Sequence, residues 1–214
     1  MVRGRKTSGI FSSLIFLFMV IVSASFLWAA LPSVKFGIKA GGGLANIFGQ
    51  DTFDQKWQES LACGIFLDLT IYQKFRAGTE VIFFRKGSIY RLNVNQIEYR
   101  EKLILDYLEI PVFLKLYFFE SSRYRFYLYG GPSAGFNLKA RLKVTFDGLE
   151  ESVEVDNLKG TDYLINAGTG AELKLKSGFI VFELRYNYGL KSISTETEGD
   201  VRNKSIVLLA GYRF

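Results

Sequence analysis

From Val34 to Phe214 the chain sorts its side chains by parity, apolar on one face and charged on the other, and this alternation recurs through eight successive segments. A β-strand points successive side chains to opposite faces, so a period of two is the signature of strands with two unlike faces. In one segment Leu61, Cys63, Ile65, Leu67, Leu69 and Ile71 share a parity, and Ala62, Gly64, Asp68 and Thr70 share the other. In another, Leu108, Ile110, Val112, Leu114, Leu116 and Phe118 oppose Glu109 and Lys115. A third sets Ile180, Phe182, Leu184, Tyr186, Tyr188 and Leu190 against Glu183, Arg185 and Asn187. The last runs Ile206, Leu208, Ala210, Tyr212, Phe214 on one side and ends with Arg213 on the other.

The segments span approximately 34–47, 58–72, 75–90, 100–118, 124–146, 160–176, 178–192 and 203–214. No segment in this region has a sustained helical period. Short turns at Gln73-Lys74, Glu120 to Arg123 and Lys176 to Gly178 alternate with longer polar loops at about 48–57, 91–99, 147–159 and 193–202. Short turns at one end and long loops at the other characterise outer-membrane barrels. Aromatic residues crowd the short-turn end, where an interfacial girdle sits: Phe36, Tyr72, Phe75, Tyr117, Phe118, Tyr124, Phe126, Phe179, Phe182, Tyr212 and Phe214.

Which face is inside follows from the charges. Lys35, Lys39, Glu80, Glu109, Lys115, Glu172, Lys174, Glu183, Arg185 and Arg213 occupy one parity and cannot fill the apolar calyx of a soluble eight-stranded barrel. The fold expected is therefore all-β: an eight-stranded antiparallel up-and-down transmembrane β-barrel, apolar outside and charged inside, over residues 31–214.

Ahead of it lies an expected signal-peptide helix, residues 1–30. Arg3, Arg5 and Lys6 precede an uncharged stretch that lasts to Lys35 and is most apolar from Leu14 to Val22. This is the order of a secretory leader. Cleavage is expected after Ala24 or near Ala29/Ala30, and an uncleaved anchor is the alternative. Removing those three bases halves the formal charge of +6, which leaves too little for nucleic acid.

The chain has no histidine and a single cysteine, Cys63, on the apolar parity. Most nucleophile–base and transition-metal constellations are thereby excluded, so neither an enzyme nor a metal or other cofactor is expected. Gly41-Gly42-Gly43 is followed by no helix and is not a phosphate loop. Asp147, Glu150, Glu151, Glu154 and Asp156 lack calcium-loop spacing and read as a solvated hairpin.

Four stretches carry a family resemblance. Tyr107-Leu108-Glu109-Ile110-Pro111, Gly130 to Gly135, Glu183 to Leu190 and Gly211-Tyr212-Arg213-Phe214 resemble, in order and spacing, the bacterial outer-membrane β-barrel domain family often labelled the porin family. The resemblance implies an eight-stranded barrel of the cell outer membrane, inserted by the barrel-assembly machinery, which reads the aromatic terminal strand at Tyr212 and Phe214. It implies no common enzymatic activity.

Eight strands leave an interior just wide enough for side chains. Lys39, Glu80, Glu109, Lys115, Glu172, Glu183, Arg185 and Arg213 are accordingly expected to form a paired lumen network, with Glu109, Glu172 and Glu183 as partners for the arginines. A monomeric structural or interaction barrel, whose loops contact lipid, envelope partners or other cells, is the leading expectation. A narrow channel for ions or small solutes, or an accessory barrel of a secretion complex, is the alternative. Arg85, Lys86, Arg91, Arg100 and Lys102 gather near the long-loop rim, where they would meet lipopolysaccharide phosphates; ordinary rim solvation is the competing reading.

Overall fold

The computed structural model describes residues 33–50, 52, 55–94, 97–146, 149–155, 158–195 and 200–214. The expected leader, residues 1–30, lies outside them. Lys35–Phe214 forms a compact unit by itself. Its strands are β1 (Val34–Phe48), β2 (Gln58–Tyr72), β3 (Phe75–Val94), β4 (Ile97–Glu120), β5 (Tyr124–Phe146), β6 (Leu149–Glu154), β7 (Thr161–Lys174), β8 (Phe179–Gly189) and β9 (Arg202–Arg213). They form one sheet in the order β4-β3-β2-β1-β9-β8-β7-β5-β6, and β4 also pairs with β5. That last pairing closes a ring of eight strands, with β6 hanging from the far half of β5. Each neighbouring pair with a resolved register is antiparallel, and β1 meets β9 from Gly37↔Arg213 to Phe48↔Arg202.

The two faces separate as the alternation requires. Leu61, Ile65, Leu67, Val112, Leu114, Leu184 and Leu208 are exposed on the outside, and Phe66, Asp68, Lys115, Glu183 and Arg185 are buried inside. The exposed Cys63 belongs to the outer set. An exterior of this kind is stable only where hydrocarbon replaces water. At the short-turn end Phe36 stacks on Phe214 at 4.8 Å, with Tyr212 edge-on to Phe214 at 4.9 Å. Tyr117 departs from the girdle expected there: it is fully buried and points inward. The exterior at that level is held by Phe118 and Phe119, which a register shift between Tyr117 and Phe119 turns outward together.

The far ends of the strands differ most from the sequence reading. Residues 91–94 and 97–99 of the segment expected as a loop are strand: β3 and β4 remain paired up to Val94↔Ile97. The expected loop 147–159 holds β6, paired with β5 from Arg141↔Glu154 to Phe146↔Leu149. At about 3.3 Å per residue, the 24 residues of β4 extend roughly 80 Å along the strand, whereas a membrane crossing takes about 9–11 residues. Strands β3 to β6 therefore project well past the apolar belt. Above the belt both faces are wet, so the chain no longer alternates, and period two vanishes from the sequence where the strand continues.

Candidate functional site

The lumen is built from inward side chains of all eight ring strands. Lys39, Arg76, Lys86, Lys115, Arg185 and Arg213 face Asp68, Glu80, Glu109, Asp162, Glu172 and Glu183, so six buried bases meet six buried acids. An unpaired charge in such an interior costs several kcal/mol, and equal numbers remove that cost only if each charge finds a partner.

They pair in tiers. Nearest the short turns, Arg213 grips Glu172 with both guanidinium nitrogens, one at 2.7 Å, and its Nη1 reaches Asp68 at 3.4 Å. The Tyr117 hydroxyl donates to Glu172 at 2.6 Å. Lys115 joins the tier above through Asp68 at 2.8 Å and Glu183 at 3.6 Å. At mid-barrel, Lys39 bridges Glu80 (2.5 Å) and Glu183 (2.7 Å), and Arg185 bridges the same two carboxylates at 2.8 and 3.0 Å. Tyr127 donates to Glu183 at 2.7 Å, and Arg185 Nε donates to the Tyr129 hydroxyl at 3.2 Å. The Lys39 ammonium sits over the Phe66 ring at 4.7 Å and the Arg185 guanidinium over Phe113 at 4.8 Å.

Two glycines make room for the tyrosines. A Cβ on Gly170 would lie 2.1 Å from the Tyr127 ring, and one on Gly168 would lie 2.6 Å from the Tyr129 ring. Both rings can lie across β7 only because those positions lack side chains.

Higher up, Lys86 pairs with Glu109, Asn203 donates to Asp162 at 2.8 Å and Asn187 to Ser205 at 2.8 Å. An apolar layer then closes the mouth. Ile193, from the segment after β8, is fully buried against Phe84, Leu105, Tyr107 and Val207, with Val155, Leu158 and Val201 packed around it. Backbone hydrogen bonds Lys159 to Ile193 (2.7 Å) and Ile193 to Val201 (2.8 Å) hold that segment in place.

Each residue expected in the lumen network is buried in the lumen. Glu109 pairs with Lys86 and with neither Arg185 nor Arg213, whose partners are Glu80, Glu183, Glu172 and Asp68. Lys86 corrects the expected rim set. It is fully buried inside the barrel, so it cannot meet lipopolysaccharide. The sequence reading put Asp68 on the inner parity but left it out of the network, and it omitted Arg76, Asp162 and the inward tyrosines. Parity alone could have placed Lys86 and Arg76 inside, because Arg76, Glu80 and Lys86 are all even-numbered on β3.

The remaining rim residues stand on the outer face of β3 and β4, where Arg91 lies opposite Arg100, Lys102 opposite Lys143 on β5, and Arg85 opposite Asp106. Arg85 holds Asp106 through two hydrogen bonds at 2.7 and 3.1 Å, and Arg141 holds its second oxygen at 3.1 Å. On β6, hydrogen bonds from Lys143 and Lys139 hold the Glu150 and Glu154 carboxyls below their ordinary pKa range. Asp147 and Asp156 of the acidic loop lie outside the described residues.

The sequence profile of the outer membrane protein beta-barrel domain family matches residues 31–195, most of the 214-residue chain. The chain belongs to that family. It is a family of outer-membrane barrels with transmembrane strands, which accounts for the apolar exterior. Among solved structures, the chain is similar to Ail, the attachment invasion locus protein of Yersinia pestis (15% identity, 85% of this chain and 99% of that one, TM-score 0.40). It is also similar to Neisserial surface protein A (12%, 85% and 99%, 0.44) and to the outer membrane protein OprG from Pseudomonas aeruginosa (12%, 86% and 97%, 0.44). At these identities and TM-scores the likeness says nothing of ligand or role. A search of curated proteins returns no match.

Proposed function

We propose that this outer-membrane barrel is sealed and non-enzymatic, and that it acts at the envelope through its exposed face. The observation that carries the proposal is the tiered ion network: six bases and five of the six acids span the interior on mutual contacts, with Asp162 held by Asn203, beneath an apolar cap centred on Ile193. A conducting pore needs a continuous water path, and water-filled barrels reach that width at about sixteen strands. Catalysis is disfavoured because five of the six inward carboxylates are held by cations and the chain has no histidine to serve as a base.

The rest of the reading follows from where the barrel sits. Export through a leader cleaved after Ala24 or near Ala29/Ala30 delivers it, and the assembly machinery reads Tyr212 and Phe214. As a monomer, it would present Arg85, Arg91, Arg100 and Lys102 to the phosphates of the outer leaflet.

Planar-bilayer recording of the purified barrel tests the seal. A sealed barrel gives no discrete openings as wild type and none as Arg185→Ala. A narrow conduit gives openings that grow when the Arg185 charge is removed, and that result would replace the sealed reading with a channel.

A further inference from the structure

We propose that the outer face of β3, β4 and β5 carries a binding pocket for the phosphorylated headgroup of a membrane lipid. The proposal rests on the outer-membrane reading, takes the lipid phosphate from it, and adds the site that would hold it.

The pocket is a 390 Å³ recess whose polar lining includes Arg85, Arg100, Lys102, Arg141, Lys143 and Glu150. Volumes of about 300–1,000 Å³ are those of small-molecule sites. Among the described residues, Arg85, Lys102, Arg141 and Lys143 meet two carboxylates, Asp106 and Glu150, and Arg100 lines the same recess with a partner of its own. Those carboxylates orient the cations without cancelling them. Asp106 fixes the Arg85 and Arg141 guanidinium planes, and Glu150 anchors Lys143 at 2.5 Å. The Arg141 Nε is shielded from solvent and donates to no acceptor among the described residues. Fixed guanidinium forks suit a tetrahedral oxyanion, which accepts several charge-assisted hydrogen bonds at once.

The pocket exists because of one extra residue. Asp106 pairs with Lys139 and Tyr107 with Asn137, so Leu138 bulges out of the ladder. Below the bulge the odd residues of β5, Ser133 among them, are buried; above it the even Ala140 is buried. Lys139, Arg141 and Lys143 therefore face outward, and without the bulge their parity would point them at the lumen. Bulges re-aim side chains in this way.

The neighbourhood selects a lipid over a free anion. Directly below the cations on the same face lie exposed Phe136, Leu138 and Ile110, the upper edge of the apolar belt. A ligand seated here has its anionic head among arginines and its chains against that wall, at the depth where a lipid carries both.

The test uses the full barrel in detergent micelles, with diphosphoryl lipid A as the probe and native mass spectrometry as the readout. Wild type should retain lipid A, and Lys102→Ala/Lys143→Ala should bind it about tenfold or more weakly. Arg100→Gln is the second variant should the double one fail to fold, and Lys191→Ala, remote from the pocket, should match wild type. Millimolar inorganic phosphate should not displace the lipid. Equal retention by wild type and the pocket variants overturns the proposal, and so does full displacement by inorganic phosphate, which would make the site one for free anions. Absence of a heat-modifiable band for wild type would overturn the outer-membrane reading as well; a heat-modifiable barrel with equal lipid retention overturns the pocket alone.

Discussion

Replacing Arg185 with methionine should unbalance the lumen in a way that a second substitution repairs. Arg185 and Lys39 share Glu80 and Glu183, forming a neutral quartet with all four contacts between 2.5 and 3.0 Å. At an effective dielectric of about 20, each Arg185–carboxylate attraction across roughly 4 Å is about 4 kcal/mol. Both cations bind the same Glu80 oxygen, so they stand roughly 5 Å apart and repel by about 3 kcal/mol on the same scale. The difference, about 5 kcal/mol, agrees with the ~3–5 kcal/mol cost of removing one partner from a buried pair. Arg185→Met leaves a net buried negative charge, whereas Glu80→Gln/Arg185→Met leaves Lys39 with Glu183 and restores neutrality. The double variant should therefore lose less than the two single variants together, with a coupling of about 2 kcal/mol or more. Urea unfolding in lipid vesicles, scored by the heat-modifiable gel fraction, measures each variant. Additivity within about 0.5 kcal/mol would refute the claim that these side chains act as one electrostatic unit.

Other positions test other parts of the structure. Gly170→Val would drive a side chain into the Tyr127 ring and pull its hydroxyl from Glu183; a loss of about 3 kcal/mol in the same unfolding assay is expected, against no change if the ring has room to move. Deleting Leu138 should remove the bulge and leave Asn137 followed directly by Lys139 in regular alternation, so Lys139, Arg141 and Lys143 keep facing outward. It should leave the heat-modifiable fraction and lipid A retention in place, and a deletion variant that folds but no longer binds would contradict the bulge argument. Phe214→Ala removes stacking on Phe36 and one element of the assembly signal, so outer-membrane fractions should hold several-fold less folded barrel at equal expression; unchanged levels would remove Phe214 from that role.

The sequence made the faces legible and the tiers only partly so. Alternation assigns Leu61 outward and Asp68 inward because a half-lipid, half-lumen strand has two solvents and a period of two. Lys39, Glu80, Glu183 and Arg185 are recognisable by the same rule as charges on the wrong parity for lipid. Their pairing is not recognisable, since Glu80 lies 105 residues from Arg185 and only ring closure brings them together. Lys86 was misplaced because Arg85 beside it makes the pair look like a basic rim, although one faces out and the other in. Strand β6 left no pattern, since Leu149 to Glu154 is exposed on both faces and nothing selects for alternation. The bulge at Leu138 left none either. It depends on how β5 registers against β4, and one misjudged residue there inverts the fate of three cations.

The claim beneath everything above is that the apolar parity meets lipid. Cys63, the only cysteine in the chain, stands on that parity and reports on it directly. An environment-sensitive fluorophore on Cys63, with the barrel in bilayers, should emit as in hydrocarbon, be quenched by lipids carrying nitroxides on their acyl chains and ignore aqueous iodide. Ala62→Cys in a Cys63→Ala background should resist labelling, because residue 62 is buried in the lumen. Iodide quenching at position 63 together with lipid quenching at position 62 would contradict the account, because it would turn the barrel inside out.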